Sequence, residues 1–279
     1  MHRGIGIGLF MLVSLLPRAA KATLQRMTRS RVLSAAASTN TGEKSIIVAN
    51  AHDVRSKIDA RCIELGRDPK SVMLVPVSKT KPQEDIMELY NDGWRHFGEN
   101  YFQEILDKAQ ALPKDIQWHF IGHLQSGKAN RLVRDVPNLA VIETVDTLKL
   151  ATKLNSACEL AGRKEALDIY IQVDTSGEDS KSGVSFGKNL LALADGIKAE
   201  CPLLETRGLM TIGAPGDLTC FDKLVSSRTA LASHWGIAED SLALSMGMSG
   251  DYIEAIARGS TSVRVGSTIF GARDYSSKK

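Results

Sequence analysis

Val77-Ser78-Lys79-Thr80 holds the residue with the plainest chemistry in this chain. The run from Val72 to Val77 is apolar and rich in β-branched side chains, as a strand buried on both faces must be. It breaks off at Ser78-Lys79-Thr80, and Pro82 can open a helix at its first position. A lysine at the carboxyl end of such a strand stands at a cavity mouth with its stem among apolar neighbours. Desolvation lowers an amine's pKa and leaves it neutral and nucleophilic more of the time, which is the chemistry needed to condense with an aldehyde. Most lysines are solvated loop residues instead, so the surrounding elements decide between the two readings.

Those elements alternate. A helix over Ser45–Leu65, with Val54, Ile58, Cys62 and Leu65 on one stripe, precedes the Val72–Val77 strand. Helix Glu84–Asn91, strand His96–Gly98, helix Tyr101–Leu112, strand Trp118–Ile121, helix Lys128–Arg134 and strand Leu139–Thr144 follow. The next helix carries Leu150, Leu154, Ala157 and Ala161 on one side. Leu167–Val173 alternates strictly and is the clearest strand. Then come helix Asn189–Glu200, strand Gly208–Ile212, helix Asp217–Trp235, strand Leu242–Met246, helix Asp251–Ala257, strand Ser262–Val265 and a tail helix from Ser267. Eight strands, each followed by a helix, imply right-handed crossovers and parallel pairing. In roughly 237 residues they match a closed (β/α)8 TIM barrel better than a doubly wound open sheet.

In such a barrel the reactive groups sit where strands end. These are Lys79 after the first strand, Glu99-Asn100 after the second, and His119 and His123 at the third. Glu143 lies on the fourth, Met210 on the sixth, Ser245 on the seventh, and Gly266-Ser267 follow the eighth. The last two loops and a short helix N-terminus form the usual phosphate cradle, where backbone N–H groups and the helix dipole favour an anion. Gly266 allows close backbone approach, and Ser245, Ser267 and Thr268 can donate hydroxyls. A phosphate cradle facing a nucleophilic lysine suits pyridoxal 5'-phosphate, an aldehyde with a phosphate arm.

Several motifs together carry a resemblance. They are Val77-Ser78-Lys79-Thr80, His96-Phe97-Gly98-Glu99-Asn100, Trp118-His119-Phe120-Ile121-Gly122-His123-Leu124-Gln125, Gly208-Leu209-Met210, Leu244-Ser245-Met246-Gly247-Met248-Ser249 and Gly259-Ser260-Thr261-Ser262-Val263-Arg264-Val265-Gly266. In this order, over about residues 45 to 275, the chain resembles the pyridoxal-phosphate homeostasis proteins, barrel relatives of the alanine racemase N-terminal domain. The resemblance implies that Lys79 forms a Schiff base with pyridoxal phosphate and that Arg264 faces the pyridine nitrogen. It implies that Ser245, Gly266 and Ser267 hold the phosphate and that Asn100 and Met210 line the ring pocket. A cation beside the ring nitrogen disfavours its protonation and makes the cofactor a weaker electron sink than one paired with Asp, which argues against transaminase chemistry. Racemisation by two bases needs an acid/base group on each face of the substrate, and in alanine racemase one comes from a second, all-β domain. These 279 residues contain no such domain, so a carrier and regulator without significant catalysis is expected. The alternatives are a weakly active racemase-like enzyme and an interaction protein that delivers cofactor to apo-enzymes.

Charge and cysteine content narrow the partners. Six of the 35 basic residues lie in the first 42 positions, where there is no acid, so the remainder carries 29 basic against 32 acidic residues. A slightly acidic body is a poor nucleic-acid binder. Cys62, Cys158, Cys201 and Cys220 show no CxxC spacing and read as reduced structural thiols rather than a zinc site. Residues 1–42, with an apolar Ile5–Leu16 stretch too short for a comfortable span and an Arg/Ser/Ala-rich Arg18–Ser38, read as a mitochondrial or other organelle leader. A secretory signal or a cytosolic extension are the alternatives, and residues 43–279 then form one cofactor-binding domain. No membrane association is expected once the leader is removed, and a monomer or weak dimer is the expected state. Gly4, Gly6 and Gly8 follow no strand and make no nucleotide loop.

Two stretches imitate other sites. Gly122–Ala129 nearly matches a phosphate-binding loop but has Ala129 where a magnesium-ligating Ser or Thr is needed. His119 and His123 share metal-ligand spacing only on a helix, and this segment reads as strand and loop. Thr175–Gly183, with Asp179, Lys181 and Ser182, reads as a solvated polar loop, although the family has a similar lysine-containing loop here.

Overall fold

The computed structural model describes residues 45–177 and 182–272. The leader reading, and Asp179 and Lys181 of the polar loop, lie outside the described residues. The chain enters through α1 (Ile46–Glu64), capped by the Ser45 side chain, which accepts the Val48 N–H at 3.2 Å. Val54, Ile58 and Cys62 of the expected stripe are buried, whereas Leu65 is 38% exposed because the helix has already ended there.

Strand and helix then alternate as β1 (Met73–Pro76), α2 (Gln83–Asn91), β2 (His96–Glu99), α3 (Phe102–Ala111), β3 (Gln117–Phe120), α4 (Ala129–Asp135), β4 (Leu139–Val145) and α5 (Leu148–Leu160). The second half runs β5 (Leu167–Asp174), β6 (Val184–Ser185), α6 (Lys188–Glu200), β7 (Leu204–Met210), α7 (Thr219–Trp235), β8 (Ala243–Met248), α8 (Tyr252–Ala257), β9 (Ser262–Val265) and α9 (Ser267–Phe270). Pro82 takes the N-cap position of α2, one place before the position expected. The short β6 pairs only with the end of β5 and is an addition to the expected elements.

The other eight strands run in the order β1-β9-β8-β7-β5-β4-β3-β2, all parallel. The ring is joined between β1 and β2 by one bridge, Val77 to Gly98, reinforced by the Ser78 N–H donating to the Gly98 carbonyl at 3.0 Å. This is the (β/α)8 barrel expected from the alternation, not an open doubly wound sheet. Most strand limits lie within one residue of those expected, and the sixth and seventh strands depart further. The sixth barrel strand, β7, begins at Leu204, because its first half carries Glu205 and Arg207 on the exposed N-terminal rim. The seventh, β8, runs on to Met248.

The core is the layer between the ring and its helices, with Phe97, Trp118 and Phe120 fully buried beside Ile58, Ile86 and Ile105. Each such side chain contributes about 1.5–3 kcal/mol through its removal from water. The rigid ring fixes the strand ends, and the strand ends fix the site. Cys62, Cys158, Cys201 and Cys220 are buried free thiols. Among the described residues no helix is long and apolar enough to cross a membrane.

Candidate functional site

Ser78, Lys79 and Thr80 turn out over the carboxyl mouth of the ring just beyond the Val77–Gly98 bridge. Lys79 is half-buried, its backbone held from both sides. Before it, the Ser78 carbonyl accepts from Lys108 Nζ at 2.8 Å and the Ser78 hydroxyl donates to Glu99 Oε1 at 2.6 Å. After it, the Thr80 N–H donates to Glu104 Oε2 at 2.7 Å. Lys108 Nζ ties these together, at 2.7 Å from Glu99 Oε1 and 3.3 Å from Glu104 Oε2. Burial pushes the Glu99 carboxyl above its ordinary range, and the Lys108 ammonium pulls against it. Thr80 sits at φ +63°, which a β-branched residue adopts only at a cost of roughly 1–3 kcal/mol. The clamp of Lys108, Glu99 and Glu104 therefore sets the direction in which Lys79 leaves the ring.

Lys79 faces a cavity of about 340 Å³, within the size range of small-molecule sites. Val77, Ile121, Ile212 and Met248 give it apolar walls, and Asn100 and Arg264 add polar ones. Asn100 is fixed by its neighbour: a Cβ on Gly122 would lie 1.9 Å from the Asn100 carbonyl oxygen, so only glycine lets the two backbones pass. Lys79, Lys81 and Arg264 are the charged lining residues, and no acidic side chain is among the lining. At one end Ser249, Gly250, Gly266, Ser267 and Gly271 meet. There the N–H groups of Gly266 and Thr268 point at Ser249 Oγ, at 3.2 and 3.5 Å. Gly247, at φ +97° and with no room for a Cβ beside Ala255 and Tyr252, makes the bend that brings Ser249 over this cradle.

The ring thus brings Lys79, Asn100, Arg264, Gly266 and Ser267 together around one cavity. It does not place Met210 or Ser245 on the wall. Met210 is fully buried at the end of β7, and Ile212, two residues on, reaches the cavity instead. Ser245 is buried inside the ring, its hydroxyl donating to Glu143 Oε2 at 2.5 Å and accepting from Arg264 Nη1 at 2.5 Å. Because β8 continues three residues past Ser245, the serine on the rim is Ser249, which sequence reasoning missed. Its signal was present: a hydroxyl between Met248 and Gly250, directly after a buried strand. The decoys fall elsewhere. His119 faces Glu143 at 3.0 Å, His123 faces Ser182 at 3.2 Å, and Ser126–Lys128 forms a single 3-10 turn before α4.

No protein-family model matches the chain. The chain is 50% identical over 217 residues to the pyridoxal phosphate homeostasis protein of Mus musculus, spanning 74% of this chain and 78% of that one. The chain belongs to the pyridoxal phosphate homeostasis protein family. Relatives given that name extend to Escherichia coli, where 238 aligned residues are 42% identical and cover 83% of this chain and 99% of that one. Among solved structures, PipY of Synechococcus elongatus with pyridoxal phosphate bound superposes with a TM-score of 0.62 at 32% identity, covering 77% of this chain and all of that one. The relatives from Mus musculus and Escherichia coli are named for homeostasis rather than for a reaction.

Proposed function

We propose that this chain binds pyridoxal 5'-phosphate through a Schiff base on Lys79 and serves in pyridoxal phosphate homeostasis as a carrier and regulator of the cofactor. The observation that carries the reading is the cavity. It gathers an amine-bearing side chain and a backbone cradle around one space, with three basic side chains and no acid on its walls. Such a lining fits an anionic aldehyde phosphate. A Cβ at Gly266 would press on the Val77 carbonyl at 3.3 Å, so the cradle needs the bare backbone there.

Each side chain then has a task. The Lys79 amine attaches the cofactor, and the Lys108–Glu99–Glu104 clamp aims it. The Gly266 and Thr268 N–H groups with the Ser249 and Ser267 hydroxyls hold the phosphate. Arg264, held by Ser245 and Thr211, would face the cofactor ring and disfavour protonation of its nitrogen, while Val77, Ile121, Ile212 and Met248 exclude water. When bound, the cofactor supplies an electron sink, and Arg264 weakens it.

That the chain acts without significant catalysis is supported by the same lining. Among the described residues around the cavity the only side chains able to move a proton at neutral pH are lysines, and Lys81 Nζ is engaged with the Ala272 carbonyl at 2.8 Å. A two-base racemase needs an acid/base group on each face. Delivery to apo-enzymes by direct contact is the corresponding mode of action, and residues 1–42 act as an organelle-import leader by their basic, acid-free composition.

Borohydride trapping of the cofactor-loaded protein followed by peptide mapping tests the assignment. The label is expected on Lys79, and Lys79→Ala is expected to be colourless. Label on another lysine, or substantial turnover of alanine by the loaded protein, overturns the reading.

A further inference from the structure

Arg264 is the cavity-side end of a hydrogen-bonded chain that crosses the barrel. Its Nη1 donates to the Ser245 carbonyl at 3.0 Å and its Nη2 to the Thr211 carbonyl at 2.8 Å. Glu143 Oε2 lies 3.5 Å from Nη1 and accepts from the Ser245 hydroxyl that bridges the two. The other carboxylate oxygen faces His119 Nδ1 at 3.0 Å, and His119 Nε2 faces His96 Nδ1 at 3.1 Å. Glu143 is fully buried and His119 is 2% exposed. His96 and His119 line a second cavity, of about 730 Å³, at the amino-terminal mouth of the ring. One chain of side chains therefore joins the two mouths.

The charges along it are interdependent. A fully buried carboxylate persists only with partners. Burial pushes Glu143 up, but the His119 hydrogen bond and the Arg264 and His119 charges outweigh it and hold the carboxyl below its ordinary range. His119 Nδ1–H donates to the carboxylate, and its Nε2 shares the second hydrogen bond with His96 Nδ1. Burial, and then the charge of His119, hold His96 down to about 4. The other groups facing the chain are fixed: Asp168 of β5 is paired with Arg207 of β7 at 2.9 Å. The Tyr170 hydroxyl is pushed up by burial and by Glu143, and Asp251 acts on Arg264 from beyond β8.

We propose that Glu143 is the positioning residue for Arg264, and that His119 and His96 connect it to the opposite mouth of the barrel, so that protonation there tunes the hold on the cofactor. The proposal rests on the reading of the cavity as a pyridoxal phosphate site. It differs from a packing role in a signed way. Removing the Glu143 charge makes the field at the cavity more positive, and His119 acts on that field only through Glu143.

The test titrates the absorption band of the cofactor bound to the full-length protein. Glu143→Gln is expected to lower the midpoint by about half a pH unit or more, roughly threefold in proton affinity, and His119→Gln to shift it only where Glu143 is present. The double variant is expected to match Glu143→Gln alone. His96→Asn, at the accessible end, is expected to flatten the change in cofactor retention in equilibrium dialysis between about pH 5 and about pH 3.5 by roughly threefold. An unchanged or raised midpoint in Glu143→Gln, or a His119→Gln shift that persists in the double variant, overturns the proposal. A His96→Asn profile identical to wild type overturns the link to the far mouth, and this arm holds even where Glu143→Gln fails to fold. Borohydride label missing from Lys79 in the wild-type protein would instead sink the cofactor assignment itself, so the two failures are distinguishable.

Discussion

Lys108 Nζ lies 2.8 Å from the carbonyl of Ser78, the residue directly before Lys79, and 2.7 Å from the buried carboxylate of Glu99. A lysine from α3 thus sets the backbone that presents another lysine to the cavity. Buried ion pairs add little net stability, but removing one partner leaves the other charge uncompensated.

Lys108→Met is therefore expected to destabilise the protein by about 3–5 kcal/mol and to weaken cofactor binding without touching the cavity wall. The loss has a pH signature. The pKa of Glu99 is raised in the fold, so its contribution is fully present below the ordinary carboxylate range and fades as pH rises through the raised value. Urea denaturation is expected to show a larger deficit at about pH 8 than at about pH 5. An equal deficit at both would remove Glu99 from the explanation.

The cradle can be tested with paired ligands. Ser249→Ala removes a hydroxyl beside the Gly266 and Thr268 N–H groups, a hydrogen bond to a charged group worth about 1.5–3 kcal/mol. Retention of pyridoxal phosphate in dialysis should fall by roughly tenfold or more, and binding of pyridoxal, which lacks the phosphate, should not change. Equal losses for both would place the serine away from the phosphate.

Gly122→Ala puts a methyl group where the Asn100 carbonyl stands. Backbone must move to make room, at a cost of about 1–3 kcal/mol in thermal or urea unfolding. The same variant should bind cofactor more weakly because Asn100 is displaced. Gly127→Ala, in the same loop with open space at its Cβ position, serves as the control and should bind normally.

His96 gives a pH dependence of known sign. Its pKa is about 4 in the fold, against about 6.5 unfolded. Between these values the unfolded chain binds the additional proton, so stability is present above about pH 6.5 and is lost as pH falls through the folded value. His96→Asn should flatten this part of the stability profile, whose slope is at most about 1.4 kcal/mol per pH unit for one proton. An unaltered slope would show that His96 titrates normally.

The barrel was legible because each buried strand is a short β-branched run and each crossover helix repeats its apolar residues at helical spacing. Where the rule thins out, the reading drifts. Leu204-Glu205-Thr206-Arg207 looks polar because that half of β7 lies on the rim, and two-residue β6 has no period to read. Lys79, Asn100, Gly266 and Ser267 were legible as residues at or just beyond strand ends, and Arg264 only through the family resemblance. Ser245 and Ser249 were not separable, since one misjudged strand end exchanges the interior for the rim. The Lys108 clamp left a fainter trace, a charged residue three places after Ile105 and four before Leu112 on an otherwise apolar face. Periodicity marks such a lysine as an exception but does not name its partner, which is supplied by a strand end across the packed layer.

The ring closes on a single bridge, Val77 to Gly98, where its other neighbours share several residues of register. Val77 and Asn100, one from each side of that seam, both wall the cavity. A molecule filling it acts as a rivet across the thinnest weld of the cylinder. Loading and unloading such a molecule would therefore act on the ring at the joint with the least spare strength.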